Sequence, residues 1–301
     1  MAEPVTAPRI NAAAMALMVL LCSVWAVQQV ASKVALTEGM PPFFQAMARS
    51  AVAGGLLLGW IRLRQGRVGL RRAVTPDASW WPGLLTAVLY AAEFLLLFAG
   101  LQRTTASRAV VLLFTGPFFT AIGAHYFIPA ERLRPSHAAG LALAFAGVAA
   151  TLSQSGASGS LLGDGMVLGA AIGWGLIAVI VKASPAMARL DAPRVLTYQT
   201  VGALPFLMAA AALNGQLSWP DASARAWWAL GYQCVVVAFG SYLAWYWLIT
   251  KYPAGKLAAF TFLTPLLGVV AGWALLGDPL GWPIAAGLGC VIAGLMLVNR
   301  Q

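Results

Sequence analysis

Two polar side chains on one face of an apolar helix carry the clearest chemical signal in this sequence. Tyr90 and Glu93 lie three residues apart within the apolar stretch 80–101, so a helix brings them to the same side. An ionisable residue inside such a stretch marks a functional site by default, because burying its charge is costly. The carboxylate would bind an ammonium group, accept a proton, or form a structural ion pair with Arg49, and the sequence leaves these alternatives open.

A polar stripe runs along the first apolar segment. Trp25, Gln28, Gln29, Ser32 and Lys33 recur at helical spacing on one face. Such a stripe avoids lipid, so it lines a wet cavity or forms hydrogen bonds to other helices. We predict that Trp25 and Gln28 face a cavity, and that Lys33, near the helix end, extends to the interface.

A second segment resembles the first and has the same spacing. Lys182 follows Trp174 by eight residues, as Lys33 follows Trp25. Trp174 supplies a flat apolar wall for a ligand or packs in a core, and both readings remain open. Lys182 is expected to anchor the helix at the interface or to pair with a carbonyl or an acid.

Aromatic residues and prolines mark three further segments. In the stretch 226–249, Tyr242 and Trp245 are three residues apart and can face inward together. Two other segments contain a proline, which frees a backbone carbonyl and permits a bend. We predict hinges at Pro117 and Pro265. We also predict that Phe114, Phe262 and Thr264, which lie near these prolines, contact the ligand.

The composition places these segments in a membrane. Of 301 residues, 60% are hydrophobic and only 9% are charged, which is too little charge for a water-facing surface. The net charge of +10 is explained by basic cytoplasmic loops, so no nucleic acid is expected as a partner. The three cysteines are scattered, and neither a disulfide framework nor a metal site is predicted.

Apolar runs near the length of a membrane span recur along the chain. A Ser/Gly-rich linker at 153–165 divides the chain, and the longest connection, 63–79, is basic. We predict ten transmembrane helices, at roughly 11–35, 42–62, 80–101, 106–128, 135–153, 163–183, 193–214, 226–249, 256–277 and 281–299.

The two halves of the chain repeat each other. Phe114-Thr-Gly-Pro matches Phe262-Leu-Thr-Pro, and Glu131 and Asp278 each open a loop before a Gly/Ala-rich last helix, at offsets near 148 residues. Each half therefore holds five helices, in residues 1–155 and 156–301. Because five is odd, the second half enters the membrane inverted, so we predict an all-α integral membrane fold with two inverted five-helix repeats around a central cavity.

The basic residues orient the predicted helices. With a cytoplasmic N-terminus, fourteen of the nineteen Lys and Arg fall on the inner side and four on the outer side. This asymmetry predicts that both termini are cytoplasmic. The same orientation places Lys33 and Lys182 at opposite faces of the membrane. Trp25 and Trp174, which occupy equivalent positions in the two repeats, lie nearer the membrane midplane.

These motifs resemble a known family. The Trp-x(7)-Lys segments, the two prolines, and the acid before each Gly-rich last helix are similar to the EamA repeat of the drug/metabolite transporter superfamily. The resemblance covers essentially the whole chain, and bacterial exporters of aromatic amino acids are the nearest type. It implies ten helices, a central cavity, a bacterial inner-membrane location and export of small metabolites or drugs.

The sequence therefore favours a secondary transporter that works by alternating access and is not an enzyme. It contains no GxxxxGK[ST] or HExxH motif, and no cofactor is expected. The partners would be a small-molecule substrate and the lipid bilayer, and a monomer is compatible with this. The alternatives are an intramembrane enzyme at Glu93 and Tyr90, a channel, or a carrier of nucleotide sugars or phosphate esters. The expected substrate-binding residues are Trp25, Gln28, Tyr90, Glu93, Phe114, Trp174, Tyr242, Trp245, Phe262 and Thr264.

Overall fold

The structure, a computed structural model, describes residues 10–101, 103, 112–152, 160–268 and 282–299. Across these residues the regular structure is helical, and no strand occurs among them. The α-helices are α1 (Ala12–Thr37), α2 (Pro42–Val74), α3 (Trp80–Leu101), α4 (Gly116–Phe127), α5 (Pro135–Leu152), α6 (Leu161–Ala183), α7 (Ala192–Thr200), α8 (Leu204–Leu213), α9 (Ala224–Tyr232), α10 (Tyr242–Lys251), α11 (Ala254–Phe260) and α12 (Trp282–Asn299). Residues 263–268 are also helical.

Several of these helices are long and apolar enough to cross a bilayer. In the described part of the chain, five helical stretches meet both conditions, and shorter apolar helices accompany them. The predicted all-α membrane fold is therefore confirmed. The five stretches are Ala12–Thr37, Trp80–Gly100, Leu161–Ala183, Ala192–Leu213 and Ala224–Lys251.

The helices of the two halves interlock in a reciprocal pattern. Helix α1, the first of its half, packs against α9 and the segment that follows it, and α6, the first of the second half, packs against α3. The last helices, α5 and α12, pack against each other. Two halves related by a two-fold axis in the membrane plane produce such reciprocal contacts.

The contact between α5 and α12 depends on glycine. A Cβ added at Gly294 would lie 2.5 Å from the Gly140 carbonyl oxygen, and one at Gly147 would lie 2.8 Å from the Gly287 oxygen. Small residues let membrane helices approach to backbone contact, which gains van der Waals packing. The Gly-rich last helices of the repeat therefore join the halves.

Gly294→Ala should destabilise the protein by about 1–3 kcal/mol, because the added methyl group forces two backbones apart. Gly289→Ala, in the same helix, is the matched control, since a Cβ there meets nothing within 4 Å. Thermal unfolding in detergent would measure both. Equal unfolding temperatures for the two variants would contradict this account of the α5–α12 contact.

Helix α2 is longer than the sequence suggested. It was predicted over 42–62 but runs from Pro42 to Val74, with a break at Gly66, whose φ of 70° favours glycine. Most of the predicted basic connection at 63–79 is therefore helical. Its Arg, Leu and Gln residues have good helix propensity, so the helix continues although the charged residues end the apolar stretch.

Two other predicted helices are interrupted. The predicted helix 193–214 is divided into α7 and α8 at residues 201–203, because Pro205 at the start of α8 cannot donate a backbone hydrogen bond. The predicted helix 226–249 is continuous from Ala224 to Lys251 but contains a π-helical segment, Gln233–Ser241. The predicted helices 106–128 and 256–277 extend in part outside the described residues.

The loop between α2 and α3 is held against the second half of the chain. Asp77 accepts a hydrogen bond from the Ser79 hydroxyl at 2.5 Å, and Arg194 Nη2 donates to its other oxygen at 2.6 Å. The Ser79 hydroxyl, the Ser79 N–H and Arg194 together lower the pKa of the Asp77 carboxyl. The Tyr198 hydroxyl lies 2.8 Å from Ser79 Oγ, which ties the loop to α7.

Candidate functional site

One cavity gathers most of the side chains that the sequence singled out. Its volume is about 110 Å³, several times the ~10–15 Å³ that one water molecule needs. Nine of the ten predicted substrate-binding residues line it. They are Trp25, Gln28, Tyr90, Glu93, Phe114, Trp174, Tyr242, Trp245 and Thr264.

The cavity lies between the halves of the chain. Helices α1 and α3 of the first half supply Trp25, Gln28, Tyr90 and Glu93, while α6 and α10 of the second half supply much of the opposite wall. The reciprocal packing of α1 and α6 against the other half places both helices beside the cavity. Each half therefore contributes its first helix to the site.

Phe262 is the predicted residue that does not line the cavity. Its side chain is fully buried, and its ring contacts Phe118 with the centroids 6.1 Å apart. Phe262 follows Thr261 in a turn after α11, which directs it into the core. Its position in the repeat matches that of Phe114, so the repeat alone does not determine which of the two rings faces the cavity.

Five lining residues were missed by the sequence reasoning. All five lie beside or one helical turn from a predicted site residue, so their positions along the chain could have indicated them. Apolar side chains in membrane helices give no signal that separates a cavity wall from ordinary packing. The missed residues are Phe94, Leu97, Leu113, Ile177 and Tyr246.

Edge-to-face aromatic contacts build one wall of the cavity. The Trp25 ring lies 5.5 Å from that of Trp245 and 6.4 Å from that of Tyr242, both nearly perpendicular. The Trp25 Nε1–H donates to Ser241 Oγ at 2.9 Å. Trp25 thus lines the cavity and also forms an interhelical hydrogen bond. Both alternatives predicted for the polar stripe of α1 occur at this residue.

Trp174 forms part of the opposite wall. A Cβ at Gly116 would lie 2.4 Å from the Trp174 ring, so the indole rests directly on the backbone at the start of α4. The Phe114 ring stands perpendicular to it, with centroids 6.0 Å apart. Glycine at position 116 therefore fixes where this flat surface lies.

Glu93 is the acidic group of the cavity. It is the one acidic residue among the described lining residues, and no lysine or arginine is among them. Within the described chain its carboxylate accepts no hydrogen bond, and it forms no ion pair within 4.0 Å. The structural Glu93–Arg49 ion pair that the sequence left open is not formed in this structure.

The rest of the α1 stripe forms interhelical hydrogen bonds or lies outside the described side chains. Ser32 donates to Gln233 Oε1 at 3.1 Å, and Gln233 Nε2 donates to Gln45 Oε1 at 3.1 Å. This buried chain links α1, α2 and the π-helical segment. The side chains of Gln29 and Lys33 are not among those described.

Both proline segments contain an interruption of the helix. Residues 114–115 precede Pro117 and residues 261–262 precede Pro265, and each pair forms a turn rather than an α-helix. Within these turns the backbone bonds span three residues, such as Thr115 N to Leu112 O at 3.1 Å. Tight turns of this kind inside a helix often mark hinges, which is the role proposed for the two prolines.

Lys182 pairs with the acid that the repeat singled out. Its Nζ lies 2.7 Å from Glu131 Oε1, and Glu131 Oε2 accepts the Gly255 N–H at 3.3 Å. Of the two roles considered for Lys182, the structure shows the acid partner. The contact joins the end of the first half's α4 segment to α6 and α11 of the second half.

Sequence comparisons place the chain among transporters. It is 25% identical over 299 residues to an uncharacterized transporter of Archaeoglobus fulgidus, covering 95% of this chain and 96% of that protein. It is 29% identical to the uncharacterized transporter YvbV of Bacillus subtilis, covering 95% and 91%. A probable amino-acid metabolite efflux pump of Salmonella typhimurium is 29% identical over 217 residues, covering 68% of this chain and 71% of the pump.

The fold also matches a solved structure. One crystal structure superposes with a TM-score of 0.78 at 20% identity, covering 96% of this chain and 98% of the other, which supports the fold alone. The profile of the EamA-like transporter family matches residues 12–153 and again residues 161–300. This chain therefore belongs to the EamA-like transporter family, within the drug/metabolite transporter superfamily that its motifs resemble.

Proposed function

We propose that this protein exports amino acids with aromatic or apolar side chains, and related drugs, by alternating access between its two halves. The observation that carries the proposal is a cavity between the halves that combines aromatic walls with one carboxylate, Glu93. Aromatic rings bind a flat apolar body and attract an ammonium group above their faces. The carboxylate then holds that ammonium group by a charge-assisted hydrogen bond.

The same chemistry disfavours the rival carriers. A phosphate ester or nucleotide sugar carries at least two negative charges and needs several cationic side chains around its phosphates, whereas the described lining residues include no lysine or arginine. An enzyme centred on Glu93 and Tyr90 would need further reactive groups at substrate distance, and the family to which the chain belongs is one of transporters. The similarity to a probable amino-acid metabolite efflux pump supports the amino-acid reading.

Charge and hydrophobicity support the remaining features of the proposal. The resemblance to bacterial exporters favours a bacterial inner-membrane location. Both termini are placed in the cytoplasm because the basic residues then concentrate on that side. In the cycle, the halves rock about the cavity and open it to one side at a time. Pro117 and Pro265 serve as the hinges, with Glu93 and the aromatic walls holding the substrate.

Counterflow in liposomes tests this function. Purified protein should accelerate exchange of radiolabelled phenylalanine and tryptophan, with saturable kinetics, at two pH values. Glycine and a sugar phosphate serve as comparison solutes, and protein-free liposomes measure leakage. Flux restricted to phosphorylated or sugar solutes, non-saturable flux, or chemically altered solute would contradict the proposal.

A further inference from the structure

Arg49 is a buried cation that the proposed site does not yet use. Its side chain on α2 is 2% exposed. Nη2 donates to the Tyr242 hydroxyl at 3.0 Å, and the buried Nε has no hydrogen-bond partner. Within the described residues no carboxylate lies within 4.0 Å of it, so the guanidinium has one hydrogen bond and no counter-ion.

Arg49 lies directly behind the cavity wall. Its guanidinium carbon is 4.6 Å from the centroid of the Phe94 ring and 5.9 Å from that of Tyr242. Both rings line the cavity, whereas Arg49 itself does not. Two aromatic side chains therefore separate a permanent positive charge from the space where Glu93 lies.

This arrangement is unusual for a buried guanidinium. Arginine is always ionised and offers five N–H donors in a planar fork that matches a carboxylate. Cation–π contacts with Phe94 and Tyr242 offset part of the desolvation, but they leave the fork largely unused. A side chain with unused donors next to a ligand cavity is suited to bind an anion when the intervening rings rotate.

We propose that Arg49 binds the substrate carboxylate once Tyr242 and Phe94 turn aside, so that the preferred substrates are zwitterionic α-amino acids rather than amines. This inference rests on the proposed function and deepens it. Glu93 holds the ammonium group, Arg49 holds the carboxylate, and the aromatic walls hold the side chain. The Tyr242 hydroxyl occupies Nη2 until the carboxylate replaces it.

A pair of matched solutes tests the role of Arg49. Phenylalanine and phenethylamine share the ring and the ammonium group, but only phenylalanine has the carboxylate. In Arg49→Gln, counterflow of phenylalanine should fall by about 10–100-fold, the loss expected for a hydrogen-bonded charge pair of ~1.5–3 kcal/mol. Phenethylamine flux should change by less than about threefold. Arg49→Lys should restore part of the phenylalanine flux, since a point charge replaces the fork.

The possible results distinguish a failure of the proposed Arg49 role from a failure of the proposed amino-acid export. Equal loss for both solutes in Arg49→Gln would make Arg49 a structural residue and overturn the inference, as would unchanged phenylalanine flux. If the wild-type protein moves neither solute, the proposed function itself fails. Reconstituted variants are compared at equal amounts of folded protein, measured by size-exclusion chromatography.

A wild-type experiment keeps the inference testable if Arg49→Gln does not fold. Phenylalanine, phenylalaninamide and phenethylamine compete for counterflow of radiolabelled tryptophan. Phenylalanine should inhibit about tenfold more strongly than the two compounds without a carboxylate. Equal or stronger inhibition by the amine would overturn the role of a carboxylate-binding cation. Tyr242→Phe, which removes the hydroxyl bound to Nη2, should strengthen inhibition by phenylalanine but not by phenethylamine.

Discussion

Glu93→Gln should reduce counterflow of aromatic amino acids by roughly tenfold or more while the protein keeps its fold. A neutral amide removes the charge-assisted hydrogen bond to the substrate ammonium, worth ~1.5–3 kcal/mol, which corresponds to about 10–100-fold in affinity. The fold should survive because, among the described residues, no hydrogen bond or ion pair depends on the carboxylate. Size-exclusion chromatography and counterflow at two pH values would measure both.

The matched control for this variant is Glu38→Gln. Glu38 follows α1 and accepts a hydrogen bond from the Ser223 hydroxyl, with Arg225 4.0 Å away, so it lies outside the cavity. Its loss should leave counterflow nearly unchanged. If the Glu93→Gln protein instead moves substrate but loses its dependence on pH, the carboxylate carries a proton in the cycle. Normal, pH-dependent transport by folded Glu93→Gln would end its role in binding and in coupling.

The sequence could predict the cavity because polar and charged groups are costly in lipid. Glu93 and Gln28 sit in apolar stretches, so they had to face protein or water, and helical spacing carried the argument to Tyr90 and Trp25. The inverted repeat then placed the first helix of each half at a shared space. These local constraints were enough to bring nine of ten predicted residues to one cavity.

Other features depend on tertiary packing that local patterns do not contain. Phe94 and Phe262 are both phenylalanines in apolar segments, yet one lines the cavity and the other packs against Phe118. The π-helical segment Gln233–Ser241 contains no proline or other sequence signal that predicts a π-helix. Hydrogen bonds from its two ends to α1 and α2 stabilise it. The segment ends directly before Tyr242, so its geometry affects the direction in which the Tyr242 ring points into the cavity.

Arg49 illustrates the same limit for electrostatics. The sequence placed it deep within a helix and offered Glu93 as its partner, because opposite charges in a membrane are expected to pair. The structure instead surrounds it with the faces of Phe94 and Tyr242 and leaves Nε without a partner. Which of two possible partners a buried cation contacts depends on helix rotation, and composition does not determine it.

Lys182→Met should destabilise the protein by about 2–3 kcal/mol, because it leaves a buried carboxylate without its cation. The Glu131 side chain is 6% exposed and that of Lys182 is 18% exposed, so solvent screens the pair only in part. Removing one partner of a fully buried pair costs ~3–5 kcal/mol, and the partial exposure of Lys182 reduces this. Thermal or denaturant unfolding in detergent would measure the change.

The Lys182–Glu131 pair differs from a surface ion pair because it connects the two halves. If the contact acts as we expect, Lys182→Met/Glu131→Gln should be more stable than Lys182→Met alone, since no unpaired charge stays buried. Lys251→Met is the matched control: Lys251 is exposed and contacts the Trp247 ring at 4.8 Å, so its loss should be nearly neutral. Additive effects of the two substitutions would show that Lys182 and Glu131 are not coupled. A positive coupling would instead mean that the acid and the lysine of the repeat stabilise the contact between the two halves.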